Sequence, residues 1–183
     1  MANTVSRSMH DVGLSAWFGG TLANAVGLNK AAAEADGGSR SGAVANEGWD
    51  RWTPVNAAAI GLHLAGSVGQ LVGNTDRLKA QKGVGTMALV KTGLTAAALG
   101  ATAYSRMLGE KVSADHDVPV ESGTEPTEGT PAQVAKAQRQ LAVLQWVVPA
   151  ITGALVVISS FAGEQQRPQS VVDGVSARLR RKS

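Results

Sequence analysis

The chain has 183 residues, of which 44% are hydrophobic and only 17% are charged, whereas charged residues make up about 25% of a typical soluble domain. It has no cysteine, which excludes disulfides, thiolate metal sites and cysteine nucleophiles. This length needs no more than one domain, and the charges are gathered in blocks that leave long charge-poor stretches between them. The distribution predicts a single membrane domain over 1–183, an all-α integral membrane bundle of four transmembrane helices.

The first predicted span covers residues 12–28, VGLSAWFGGTLANAVGL, a short segment rich in small side chains. A competing interpretation makes it a cleaved signal peptide, because residues 23–25, ANA, have the form of a cleavage site and Arg7 could supply the basic region before it. A glycine pair interrupts the hydrophobic region and Asp11 precedes it, which favours a membrane span. Cleavage would leave three spans with the same orientation.

The other three spans follow in chain order. The second covers 54–73, PVNAAAIGLHLAGSVGQLVG, and opens with a proline, as helices often do. The third covers 84–104 and contains Lys91, whose long side chain is expected to reach toward the nearer membrane interface. The fourth covers 141–161, which has no charged residue, and its Pro149 is an interruption that membrane helices tolerate.

The connections between the spans alternate in net charge. Residues 74–83 and the tail 167–183 are net basic, whereas 29–51 and 105–140 are net acidic. Because basic segments stay in the cytoplasm, this predicts a multi-pass protein of the cell (plasma) membrane with both termini cytoplasmic. Within the second acidic connection, residues 113–134 have almost no large apolar side chains, so we predict a flexible acidic external loop. Four aromatic residues agree with this topology by falling near the outer interface: Trp49, Trp52, Tyr104 and Trp146.

Small residues recur at every fourth position in three of the spans, which places them on one face of each helix. In one interpretation these faces pack inside the bundle, where helix backbones can approach closely; in the other they lie outside and bind another membrane protein. We expect the packing interpretation to hold. The stripes comprise Ser15, Gly19, Ala23 and Gly27; Gly61, Ala65, Gly69 and Gly73; and Gly93, Ala97, Ala101 and Ser105.

The second span also carries Asn56, His63 and Gln70 at sevenfold spacing, which places three polar side chains on one side of the helix. Unpaired polar groups are costly in hydrocarbon, so this side is expected to face other helices. The simpler interpretation is hydrogen bonding between helices; the alternative is a polar path for protons or a small solute, with His63 as the titrating group. The other members of this polar seam are Asn24, Lys91, Thr95 and Gln145, and Thr21 and Thr102 are further candidate hydrogen-bond partners.

No catalytic, cofactor or metal site is predicted. Lys91 is followed by a threonine, as at the end of a phosphate-binding loop, but Val90 stands where that loop requires glycine. His10 beside Asp11, and His116 between two aspartates, could contact a metal, yet ordinary solvated polar residues are the simpler interpretation. We therefore expect a protein that is not an enzyme.

Three blocks, SAWFGGTLANAVG, WTPVNAAAIGLHLAG and VKTGLTAAALGATAYSRMLG, resemble segments of small four-helix integral membrane proteins of uncharacterised function from actinobacteria. The resemblance covers most of the chain outside the acidic loop and implies no activity. The leading hypothesis is a non-catalytic packing or accessory subunit of a membrane complex. Its partners are the lipid bilayer and another membrane protein or a second copy, and not nucleic acid. The alternative is a small carrier or channel that uses the polar seam around His63.

Overall fold

The computed structural model describes residues 2–35, 38–75, 83–113 and 118–164, and in these ranges the fold is all-helical, as predicted. His116 and the tail 167–183 lie outside the described residues. Within 118–131, one isolated antiparallel bridge joins Val120 to Pro126. The elements are α1 (Ala2–Ala23), a π-helical turn (Asn24–Leu28), α2 (Asn29–Ala33), α3 (Gly38–Gly73), α4 (Val84–Ser113) and α5 (Ala132–Glu164).

Among the described residues, three segments are long and apolar enough to cross a membrane: Arg40–Gly73, Val84–Ser113 and Ala132–Gly163. They contain the second, third and fourth predicted spans. The first predicted span lies in α1 and the turn that follows it, which do not meet the same criterion of length and hydropathy. The count of four spans and the cytoplasmic position of both termini therefore stay predictions.

The second predicted span is the end of a much longer helix. Residues 29–51 were expected to form a connection, but α3 begins at Gly38 and Pro54 lies inside it. Buried or half-buried side chains recur along this extension at Ser41, Ala45 and Trp49, a spacing of four that gives one face of a helix. The polar composition of the extension hides this periodicity, because only one side is covered by protein.

The helices pack unevenly. α1 packs most extensively against α3 and also contacts α5, while α4 packs mainly against α5. α3 and α4 make few contacts with each other. The bundle therefore has an open crevice between α3 and α4, and this crevice positions the candidate site.

α1 has its inward face in the centre of the bundle although it is less apolar than the three candidate membrane helices. Its buried positions step by four and three, at His10, Leu14, Trp17 and Thr21, as expected for one helix face. The same buried face continues through the π-helical turn to Asn29. A π-helical turn contains more residues than an α-helical turn, so buried positions four residues apart stay on one side of the helix there. Leu14 and Trp17 form the main core with three residues from the other helices: Ala59, Ala98 and Leu155.

Two glycines bring the backbones of α1 and α3 into contact. A Cβ atom on Gly13 would overlap the backbone of Ala59 and His63, and a Cβ atom on Gly66 would overlap the backbone of His10. Neither glycine belongs to the predicted stripes. Only glycine permits this close approach, which gains dispersion contact between the two helices.

The predicted stripes lie largely on the outside of the bundle. A Cβ atom on Gly19, Gly27, Gly61 or Gly93 would meet nothing within 4 Å. Gly69 is the exception, because it faces the side chain of Ser6. The structure therefore places most of these faces on the outside of the bundle, and not in its interior as expected. The remaining stripe residues are exposed or half-buried: Ser15, Ala23, Ala65, Gly73, Ala97, Ala101 and Ser105.

Of the predicted flexible loop 113–134, Ser113 ends α4, residues 132–134 begin α5, and residues 118–131 are folded onto the helices. Val120 and Ser122 are buried, and the Gln138 Nε2 group donates a hydrogen bond of 2.9 Å to the Ser122 carbonyl oxygen. Composition suggested too little apolar surface for order. The segment instead packs on surface supplied by α3, where Val120 lies against Gly42.

Candidate functional site along the polar seam

Two cavities lie in the crevice between α3 and α4, one toward each end of it. The first, here called the Asn56 cavity, has a volume of about 340 Å³ and is lined by Thr21, Asn56, Thr102, Arg106 and Gln145 among others. The second, here called the Lys91 cavity, has a volume of about 350 Å³ and is lined by His10, Gln70, Lys91 and Thr95 among others. Leu99 lines both cavities. Most residues of the predicted polar seam therefore line one of two cavities, which share the Leu99 side chain in their walls.

His63 lines neither cavity but joins three helices. Its side chain is fully buried, with Nδ1 at 3.4 Å from the His10 carbonyl oxygen on α1 and Nε2 at 3.4 Å from the Thr95 hydroxyl on α4. Because a carbonyl oxygen only accepts, Nδ1 carries the proton, and in the neutral ring Nε2 accepts from Thr95. Both ring nitrogens are thus engaged, as the hydrogen-bonding interpretation of the seam expects.

His10 is the second buried histidine, and one of its nitrogens is open. Its ring centroid lies 4.5 Å from that of His63, and it is only 1% exposed. Nδ1 lies 2.7 Å from the Asp11 carboxylate, which only accepts, so Nδ1 carries the proton. Nε2 has no hydrogen-bond partner, although His10 lines the Lys91 cavity.

Unpaired buried polar atoms occur at both cavities. Asn56 Oδ1 and Thr102 Oγ1 have no partner at the Asn56 cavity, and Gln70 Nε2 has none at the Lys91 cavity, besides His10 Nε2. Buried polar groups are normally hydrogen-bonded, and each unpaired group costs free energy. Each of these atoms is closed to solvent, so water or a polar solute in the two cavities would satisfy them once their side chains turn toward the cavity.

Lys91 supplies a positive charge to its cavity. It is half-buried, and no Asp or Glu is among the described residues that line this cavity. Asp11 is the nearby carboxylate, and it pairs with His10 and Arg7 on its own helix. The expected extension of Lys91 toward a membrane interface stays a prediction.

The two remaining seam residues have separate roles. Gln145 accepts a hydrogen bond of 2.7 Å from Asn29 Nδ2, and the Asn29 side-chain oxygen accepts one of 3.0 Å from Trp49 Nε1. This pairing closes one wall of the Asn56 cavity. Asn24 does not line either cavity, and its Nδ2 group is buried without a partner.

An ion pair crosses the crevice at the Asn56 cavity. Arg106 on α4 donates a hydrogen bond of 2.6 Å to Asp50 on α3 and also lies 3.3 Å from Glu110 on its own helix. In the sequence these residues contributed only to the net charge of the connections. The pair and the His63–Thr95 bond are the polar contacts between α3 and α4 in the described residues.

Comparison with protein-family models, with curated proteins and with solved structures gives no significant match for this chain. The resemblance to small four-helix membrane proteins therefore stays an expectation from the sequence.

The spacing of seven residues predicted that Asn56, His63 and Gln70 lie on one side of the helix, and they do so in the structure. His10 was not predicted to belong to the polar seam. The available signal was its position seven residues before Trp17, which sets both on the inward face of α1. The metal contact considered at His10 gains no further ligands, because no group of three or more His, Asp or Glu within the described ranges is placed to hold a metal ion.

Proposed function

We propose that this protein is a small, non-enzymatic carrier of the plasma membrane, in which protons and a small solute pass along the crevice between α3 and α4. One observation carries the proposal: two cavities with unpaired buried polar atoms meet at Leu99. Most buried polar atoms in native proteins are hydrogen-bonded, so a partner is expected for these. Cavities in membrane bundles that are lined by polar groups are typical of substrate pathways.

The topology that fits this proposal has four spans with both termini in the cytoplasm. α1 has 22 residues, which at about 1.5 Å per residue is about 33 Å, enough to cross a bilayer. Its weak hydropathy is compatible with crossing, because His10 and Thr21 are buried between helices and the charged side chains of Arg7 and Asp11, which are about half exposed, pair with each other in the first half of the helix. In this orientation the Lys91 cavity opens toward the cytoplasm and the Asn56 cavity toward the outside.

Leu99 is the constriction in the proposed path. Neighbouring apolar residues narrow the same point from α3, where Ile60 lines the Asn56 cavity and Leu64 lines the Lys91 cavity. A hydrophobic constriction between two polar spaces limits passage of water and ions. Removing the Leu99 side chain should join the cavities.

The test is flux through the purified protein in liposomes that contain a pH-sensitive dye. We expect a protein-dependent proton flux under an imposed pH gradient, and Leu99→Ala should raise it several-fold. Leu89→Ala is the matched control, because Leu89 lies on the same helix, is 75% exposed and lines neither cavity. Equal flux in protein-containing and empty liposomes would remove the carrier proposal.

A second function, an accessory subunit of a membrane complex, is favoured by the outward position of the small-residue stripes. The bundle uses Gly13 and Gly66 for its own close contact, and it leaves Gly19 and Gly61 open, since a Cβ atom at either position would meet nothing within 4 Å. A partner helix could approach these faces closely. Co-purification in mild detergent tests this: Gly61→Leu should release a bound protein, while Val55→Leu, exposed on the same helix, should retain it.

A further inference from the structure

We propose that the Lys91 cavity binds the carboxylate of a lipophilic monocarboxylic acid, and that His10 takes up a proton as the carboxylate binds. The proposal names the solute class for the carrier function above and rests on it. Four features of the cavity carry the proposal: a cation without a carboxylate in the described cavity lining, an unpaired amide donor on a lining residue, an unpaired imidazole nitrogen on another lining residue, and apolar walls.

The first step is charge. Lys91 lines the cavity, and no acidic side chain among the described residues lines it with Lys91. A half-buried ammonium group attracts an anion strongly, because the surroundings screen its charge less than water does. One lysine balances one negative charge, which favours a monoanion over a phosphate that carries two.

The second step is hydrogen bonding. Gln70 Nε2 is buried without an acceptor and lies on the same cavity wall as Ser67, whose hydroxyl is already engaged with the His63 carbonyl oxygen. An amide nitrogen only donates, so the missing partner is an acceptor. A carboxylate has two oxygens and accepts from an amide and an ammonium group at once.

The third step concerns His10. Asp11 holds the proton on Nδ1, so Nε2 accepts when the ring is neutral and donates when it is protonated. A carboxylate accepts only, and it therefore favours the protonated ring. Among the side chains that the structure describes, the ionisable groups around His10 are Asp11 and Arg7 on its own helix, His63 on α3 and Lys91 on α4; the described α5 residue that lines this cavity is the uncharged Ala162.

The fourth step is the shape of the solute. Besides its polar groups, the cavity is walled by Leu64, Val68, Leu71, Val84 and Met87. Its volume of about 350 Å³ lies in the range of small-molecule sites, which combine mostly apolar walls with a few polar groups. An acid with an aliphatic body fits these walls, with its carboxylate at Lys91.

The experiment is calorimetric titration of the purified full chain in a non-ionic detergent with octanoate, after subtraction of the same titration into empty micelles. We expect saturable binding of octanoate and at least tenfold weaker binding of octanol, which has the same chain length without the charge. Lys91→Met should weaken octanoate binding at least tenfold. Lys111→Met is the matched control, because Lys111 is exposed near the end of the same helix and lines neither cavity.

Proton uptake separates the role of His10 from packing. At pH 7.5, above the ordinary imidazole pKa of about 6.5, titrations in buffers of different ionisation enthalpy should show net proton uptake with octanoate. His10→Gln should still bind octanoate within a few-fold, because an amide donates in the same place, but without proton uptake. If His10→Gln does not fold, Asp11→Asn gives the same readout and should lower the uptake.

Three results would overturn the inference: equal binding of octanoate and octanol, unchanged affinity in Lys91→Met, or tighter binding of inorganic phosphate or phosphatidylglycerol than of octanoate. The liposome flux is measured separately. Flux without octanoate binding would remove this inference and leave the carrier, whereas binding without flux would remove the carrier and leave the binding site.

Discussion

The two sides of α3 show opposite kinds of packing. On the side of α1, Gly13 and Gly66 let the two backbones touch. On the side of α4, a crevice holds two cavities and is bridged by the His63–Thr95 bond and the Arg106–Asp50 pair. The close side of α3, which faces α1, can change only if a backbone moves, whereas the open side, which faces α4, can change through movements of side chains. We infer that the first side holds the fold and the second carries the function.

The largest expected effect comes from disrupting the close contact between α1 and α3. Gly66→Leu should destabilise the folded protein by about 3 kcal/mol or more, because its side chain would overlap the backbone of His10 and neither helix can yield without separating. Thermal unfolding in detergent measures this loss. Gly61→Leu is the control on the same helix, since its position is open. Similar unfolding temperatures for the two variants would show that α1 and α3 do not touch in this way.

The second prediction concerns the crevice between α3 and α4 and asks toward which side of the membrane each cavity opens. In intact cells, an impermeant thiol reagent should label Gly109→Cys at the Asn56 cavity and leave Met87→Cys at the Lys91 cavity unlabelled. Thr127→Cys, at an exposed position of the predicted outer connection, is the positive control. The reverse labelling would invert the proposed topology, and labelling of both would place the cavities on the same side.

The same comparison shows what the sequence could predict. Length and low charge predicted the helical class, and sevenfold spacing predicted the side of α3 that carries Asn56 and His63. The spacing of small residues at every fourth position did not identify the contacting faces. Lipid and protein interior are both apolar, so periodicity marks a face without saying what covers it. Gly13 and Gly66 are identified only once the two helices are placed side by side.

The extent of α3 and the role of His10 were missed for a related reason. The extension of α3 before Pro54 is polar, and its one buried face is covered by residues that are distant in the sequence. Asn29, for example, forms hydrogen bonds with Trp49 of the extension and with Gln145 of α5. His10 stands next to Asp11 in the sequence and suggested a solvated pair. Its burial depends on α3, which the local sequence does not contain.

The third prediction tests whether the His63 bridge holds the open side together. His63→Leu should destabilise the protein by about 1–2 kcal/mol, since it removes two hydrogen bonds of roughly 1 kcal/mol each and leaves Thr95 without its partner. His63→Gln should retain most of the stability, because an amide both donates and accepts. Unfolding in detergent measures both variants. A Gln variant as unstable as the Leu variant would show that ring packing against His10 and Trp17, and not hydrogen bonding, sets the effect.

The smallest expected effect concerns the ion pair across the crevice. Arg106 is 38% and Asp50 49% exposed, and exposed ion pairs contribute at most about 1 kcal/mol, so Arg106→Met should lower the unfolding free energy by less than that. Arg51→Met is the control: Arg51 also pairs with a carboxylate at 2.6 Å, but its partner Glu47 lies on the same helix and both side chains are more exposed. The two variants should have similar stability but should differ clearly in how accessible the crevice is to a thiol reagent. Because Arg106 joins α3 to α4 and Arg51 does not, loss of Arg106 should speed thiol labelling of Gly109→Cys, whereas loss of Arg51 should not. Equal labelling rates would mean that the ion pair does not restrict the Asn56 cavity, and the resistance to passage would then lie at Leu99 alone.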